Sequence, residues 1–249
     1  MNRQQTMNRQ QSYDITGKEY ADERYGAPHM RNYAQTRSDA LLHLIEEHFA
    51  PSTPLRVLEV GCGPGLSLEY LANKLESIEL FGVDFSTTML NVAGDRLSRC
   101  ANLPNLVNAN AFELPFHTDS FDAIYATRFI HQFPHAEKKR LYAEFSRVTR
   151  HHGLILVEFY KRFYHRLRYH VTRQQKSSDS YFSHYPTSGE VQDIVGARYR
   201  VQPVRLAGDR LIHSCFGHRL SQRFITAVHR LRLSFLFDEY FVVSQNVKH

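Results

Sequence analysis

No stretch of the chain approaches the ~18 to 20 consecutive apolar residues that a helix needs to cross a bilayer, so a transmembrane helix is excluded. The opening MNRQQTMNRQQ has no apolar run of the kind a signal peptide requires, and a cytoplasmic location is the expectation. Cysteine is scarce. Cys62, Cys100 and Cys215 are far apart and form no CxxC pair, which argues against a zinc site and against a disulfide framework and fits a reducing compartment. No metal ligands are assigned.

The 249 residues are 42% hydrophobic and 12% aromatic, enough to fill one sizeable core rather than leave the chain disordered. The formal net charge of +6 raises the question of an anionic partner such as nucleic acid or lipid headgroups. Much of that charge falls late, in KRFYHRLRYHVTR (161–173) and HRLSQRFITAVHRLRL (218–233), which assigns it to the substrate side of the molecule. MNRQQ occurs twice in the first eleven residues, polar and too short for a structural unit, and residues 1–12 read as a disordered tail.

Periodicity organises the rest. SDALLHLIEEHF (38–49) places Leu41, Leu42, Ile45 and Phe49 at helical spacing behind Ser38, a candidate N-cap. LRVLEVG (55–61) is a short apolar strand that breaks into a glycine loop, and SLEYLANKL resumes helical spacing. ELFGVDFS (79–86) is a second strand whose Ser86 can cap the next helix. LVNANAF (106–112), FDAIYATRFI (121–130) and GLILVEFY (153–160) are further strands, with a helix over EKKRLYAEFSRVT between the last two. SGEVQDIV (188–195) reads as a short helix, and RYRVQPVRL and EYFVVSQNV (239–247) as strands. Strands alternating with helices at these spacings call for a doubly wound, mostly parallel α/β sheet of about seven strands.

Glu59-Val60-Gly61-Cys62-Gly63-Pro64-Gly65 sets a GxGxG spacing between a strand and a helix, where glycines permit a sharp turn and let a ligand lie against the backbone. Asp84 ends the second strand about twenty residues later, where a carboxylate can accept both hydroxyls of a ribose. A dinucleotide fits poorly: the spacing is not GxGxxG, and the carboxylate of Glu59 would repel a pyrophosphate. A cationic amino-acid ligand suits Glu59 better.

The succession VLEVGCGPG, GVDFS, NAFELPFHTDSFDAIYATRFIHQF and EFSRVTRHHGLILVEF resembles the class I S-adenosylmethionine-dependent methyltransferases, in the group that includes the quinone-biosynthesis enzymes. The resemblance implies a single methyltransferase domain over 13–249, with an N-terminal cap at 13–50 and substrate-side helical additions at 161–185 and 207–238. It implies S-adenosyl-L-methionine as cofactor, with Glu59 near the ammonium and Gly61, Cys62, Gly63 and Gly65 under the methionine part. Asp84 would hold the ribose, and Phe85 and Met89 would pack against adenine or ribose. Asn110, Ala111 and Phe112 stand where the family has an acidic and a small residue beside the adenine, so Asn110 is a departure. Thr127 and Arg128 would line the methionine part.

The sulfonium is an activated electrophile, so a general base is needed only for an acceptor that must lose a proton. His131, after ATRFI, is the candidate; its other reading is a packing or capping residue at a loop–helix junction. Asp119 reads as a turn residue and Asp122 as a strand-edge support, neither catalytic. The expected acceptor is a small molecule or a lipid-like metabolite. Two readings compete: an RNA methyltransferase using the basic segments, or a non-catalytic cofactor-binding protein. Against nucleic acid, the fourth strand ends in ATRFIH and not in an Asn/Asp-Pro-Pro-aromatic element. The basic amphipathic segments either pack on the core or touch an anionic membrane peripherally.

Overall fold

The computed structural model describes residues 28–50, 54–160, 188–196, 202–204, 223 and 239–245. The tail at 1–12, the first half of the cap and almost all of the additions at 161–185 and 207–238 lie outside the described residues.

Strand β1 (Leu55–Val60) is buried at every position but Arg56, as a strand covered on both faces must be. It runs parallel to β2 (Ile78–Asp84), with Glu59 opposite Gly82, and on its other side parallel to β4 (Phe121–Ala126), with Glu59 opposite Tyr125. β3 (Asn105–Asn108) pairs with β2, and β5 (Thr149–Tyr160) with β4, both parallel. β7 (Glu239–Gln245) is antiparallel to β5 and to β6 (Gln202–Val204). The order is therefore β3-β2-β1-β4-β5-β7-β6. Chain direction across the sheet reverses between β1 and β4, and the crevice at the carboxyl ends of those two strands is where sheets of this kind take ligands.

Helices cover both faces. One core joins Leu58, Val60, Ile124 and Val157 to Leu141 and Phe145 of α4 (His135–Val148) and to Val191 and Ile194 of α5 (Ser188–Val195). The other joins Val57, Ala123 and Leu156 to Leu41 and Ile45 of α1 (Pro28–His48), Leu68 of α2 (Leu66–Ala72) and Ala93 of α3 (Thr87–Leu97). Successive β1 residues feeding opposite cores is the period-two signature of a two-sided sheet.

Several boundaries differ from the sequence reading. α1 starts at Pro28, so Ser38 is an interior, buried residue and not a cap. Ser86 does cap α3, its hydroxyl accepting the Met89 N–H at 3.3 Å. β3 stops at Asn108, because Asn110 turns the chain by accepting the Phe112 N–H on its side-chain oxygen. β4 stops at Ala126, because Arg128 takes a left-handed φ of 52° that no strand can continue through. A short 3-10 turn, Ile130–Gln132, follows.

Candidate functional site

The glycine loop crosses the mouth of the crevice. Gly61, Gly63 and Gly65 have φ of 73°, 51° and 76°, the left-handed region that side chains disfavour. The loop hangs from β2: Gly61 and Cys62 donate to the Val83 carbonyl at 2.8 and 3.0 Å. Asp84 completes the tie, its Oδ2 accepting Gly63 N–H at 2.8 Å and its Oδ1 accepting Ser86 N–H at 2.9 Å. The three glycines differ in what surrounds them. A Cβ on Gly61 would lie 2.3 Å from the Phe129 ring, and one on Gly65 would lie 3.1 Å from Ala93. A Cβ on Gly63 would meet nothing within 4 Å among the described residues, so of the three this glycine opens onto free space.

Cys62, between the first two glycines, turns inward. Its side chain is buried in the core under α2, close to Leu68 and Gly82, and burial raises its thiol pKa well above the ordinary range. Cys62 therefore offers a bound molecule its backbone and not its sulfur.

Behind the loop lies a buried charged floor. Glu59 is 2% exposed; Tyr125 donates its hydroxyl to one carboxyl oxygen at 3.1 Å and Thr127 to the other at 3.3 Å. Loss of water pushes its pKa up to about 8, against the lowering effects of the Tyr125 bond, the Arg37 charge and the Thr127 bond. Arg37, from α1, is 3% exposed and places a guanidinium nitrogen 3.9 Å from a carboxylate oxygen of Glu158 on β5. Glu158 also accepts the Arg128 backbone N–H at 2.6 Å. The residues of this floor come from four elements far apart in sequence, and the strand order brings them together.

On the β2–β3 side, Asp84 and Phe85 are half-buried, while the Asn108 amide donates to the carbonyls of both Asp84 and Phe85 and braces that turn. Met89 is buried and Asn110 is exposed, its oxygen already engaged by the Phe112 N–H. Ala111 is buried, and Phe112 packs edge-on to Phe133 with centroids 5.4 Å apart; Phe129 leans on Phe133 at 5.0 Å. An aromatic wall thus runs from the Asn110 turn to Gly61. His131 lies half-buried on the 3-10 turn two residues past Phe129. Asp119 sits in a left-handed turn, and Asp122 accepts the Arg56 N–H at 2.8 Å and pairs with Arg150, structural roles at the other end of the sheet.

Arg37, Asn108 and Glu158 escaped the sequence reading. Glu158 had a signal, since it is the lone charge in the apolar run GLILVEF and any charge there must be buried. Arg37 and Asn108 had none, because their partners are on other elements.

These residues fit a nucleoside joined to a cationic amino acid. Glu59 presents a buried carboxyl whose ionised form a cationic ligand would stabilise, Gly63 offers an open backbone cradle, and Asp84 has acceptor capacity for hydroxyls at the end of β2. Among the described residues no group of three or more His, Cys, Asp or Glu could hold a metal ion, and no helix is long and apolar enough to cross a membrane.

Comparison with known proteins agrees with the geometry. Residues 57–153 match the sequence profile of a family described as "Methyltransferase domain". Over 104 residues the chain is 40% identical to phthiotriol/phenolphthiotriol dimycocerosates methyltransferase 1 of Mycobacterium ulcerans, covering 41% of this chain and 36% of that protein. It is 34% identical to a phosphatidylethanolamine N-methyltransferase of Cereibacter sphaeroides, covering 41% of this chain and 49% of that one. The chain thus spans less than half the length of these relatives. The fold is shared along nearly its whole length with magnesium protoporphyrin IX methyltransferase of Synechocystis, solved with S-adenosylhomocysteine, at a TM-score of 0.69 and 13% identity over 96% of this chain and 99% of that one. Residues 57–153 are thus similar to a methyltransferase domain, and the sheet has the fold of the class I methyltransferases.

Proposed function

We propose that this protein transfers the methyl group of S-adenosylmethionine to a small-molecule or lipid-like acceptor by in-line displacement. The observation that carries the reading is the buried Glu59 carboxyl behind the open cradle of Gly63, at the switch point of the sheet. Glu59, oriented by Tyr125 and Thr127, receives the α-ammonium, and the buried Arg37 guanidinium beside it serves the α-carboxylate. The backbone of Gly61 to Gly65 lies under the methionine part, with Thr127 and Arg128 along its side. Asp84 takes the ribose hydroxyls; Phe85, Met89, Ala111 and Phe112 surround the base, and Asn110 has a second lone pair and an amide for the adenine edge.

The bound sulfonium supplies an activated methyl group, which leaves the protein to align an acceptor and keep water out. The aromatic wall of Phe112, Phe133 and Phe129 provides an apolar flank for both tasks. His131 is the proton acceptor when the acceptor group is a hydroxyl. Replacing His131 with alanine is expected to lower turnover by about a hundredfold while the S-adenosylhomocysteine Kd stays within about threefold. Isothermal titration and initial rates separate the two effects; unchanged turnover rejects the base assignment.

The lipid-like acceptor is supported by the relatives, whose names include a phosphatidylethanolamine and a dimycocerosate methyltransferase. The setting proposed is the cytoplasm, with peripheral contact to anionic membrane through the basic segments at 161–173 and 218–233. The test is methyl transfer from labelled S-adenosylmethionine into separated lipid, small-molecule and RNA fractions of a cell extract. Label in the organic or small-molecule fraction supports the reading, and label confined to RNA overturns it.

A further inference from the structure

The end of β4 holds an unusual turn. Thr127 faces Glu59, with its hydroxyl 3.3 Å from the carboxyl, and Phe129 lies with its ring against the face of Gly61. These two contacts are separated by Arg128 alone, at a φ of 52° that a non-glycine residue adopts reluctantly. Were Arg128 to relax to an ordinary negative φ, the chain after Thr127 would leave in another direction. Phe129 could not then cover Gly61 while Thr127 still faced Glu59.

Glu158 is the group that opposes this relaxation. It lies near the end of β5, next to β4, with its side chain fully buried. Burying a carboxylate there is unfavourable unless something compensates. Its Oε2 accepts the Arg128 N–H at 2.6 Å, and the Arg37 guanidinium 3.9 Å away supplies the counter-charge. A charge-assisted bond to the one backbone N–H whose direction depends on the left-handed turn stabilises that turn over its alternatives.

We propose that Glu158 is a positioning residue for cofactor binding. It fixes the left-handed Arg128 turn and thereby sets Thr127 against Glu59 and Phe129 against Gly61, at the start of the glycine loop. This rests on the cofactor reading given above.

A double-mutant cycle tests it, because residues that act through one another are non-additive. Glu158→Leu removes the acceptor, whereas Arg128→Gly removes the conformational cost that the acceptor offsets. S-adenosylhomocysteine affinity is measured calorimetrically for wild type, both single variants and the double variant. Glu158→Leu is expected to weaken binding by about tenfold in the otherwise wild-type protein and by about threefold or less in the protein that also carries Arg128→Gly. Equal losses in both backgrounds overturn the proposal. If Glu158→Leu does not fold, Glu158→Gln takes its place: it keeps an oxygen for the backbone N–H of residue 128 but only as a neutral acceptor, and Arg128→Gly must still reduce its effect. The same cycle read as ligand-free melting temperature distinguishes the two ideas. Wild type that fails to bind S-adenosylhomocysteine, with coupled melting temperatures, defeats the cofactor reading; additive melting temperatures defeat the turn.

Discussion

Glu59→Gln is expected to weaken S-adenosylmethionine binding by about a hundredfold and, in the same protein, to raise the melting temperature of the ligand-free form. The two effects share a cause. Glu59 is buried among Tyr125, Thr127 and Arg37, and desolvation lifts its pKa to about 8. In the unfolded chain a glutamate titrates at ~4.3, so between that value and about 8 the folded state binds more protons than the unfolded one. Stability conferred by this group is therefore lost as pH rises through that window, by up to about 1.4 kcal/mol per pH unit. Glutamine presents a similar shape without that penalty, and thermal melts of the variant should lose the corresponding slope with pH. Sites that bind charge commonly sacrifice stability in this way.

Binding reads the same group with the opposite sign. The α-ammonium is recognised by the ionised carboxylate, so below about pH 8 Glu59 must release a proton as the ligand enters. Affinity is expected to improve by up to about tenfold per pH unit from pH ~6 towards ~8, and to decline above it as the ligand's own α-amino group, near ~8, loses its proton. Calorimetry in buffers of different ionisation enthalpy would report the released proton. A pH-independent Kd in wild type, or an unchanged Kd in Glu59→Gln, contradicts Glu59 as the ammonium receptor.

Much of this site is written in local sequence. The glycine loop is legible because a turn between strand and helix at positive φ demands glycine, and Ser86 because capping chemistry is local. What escaped depends on neighbours distant in sequence. Glu59 meets Tyr125 and Thr127 only because β4 docks beside β1 after β2 and β3 have gone to the other side. Arg37 lies in a helix that starts at Pro28, so the apparent start at Ser38 concealed a residue already buried against β5. Cys62 alternates with the glycines in the motif, yet its direction is fixed by a turn conformation that spacing does not reveal. Glu158 was visible as an anomaly in an apolar strand, but its function required the Arg128 turn to be seen.

Gly63→Ala tests the cradle itself, and its expected result is a folded protein that binds poorly. At a φ of 51° an alanine pays about 1 to 2 kcal/mol for the left-handed region, which in a chain of this size lowers the melting temperature by roughly 2 to 8 °C. Nothing among the described residues stands within 4 Å of the new methyl group, so no further destabilisation from packing is expected. The methyl projects into the space where the ligand backbone would lie, and one added carbon in a fitted pocket should lower S-adenosylhomocysteine affinity by at least about tenfold. Gly61→Ala is the contrasting variant. Its methyl would sit 2.3 Å from the Phe129 ring, so folding itself should suffer, and Phe129→Ala should restore part of the lost stability. Differential scanning calorimetry and ligand titration on the two glycines thus separate a position reserved for ligand from one reserved for packing. Wild-type affinity in Gly63→Ala would mean that the open face of the loop is not where the cofactor lies.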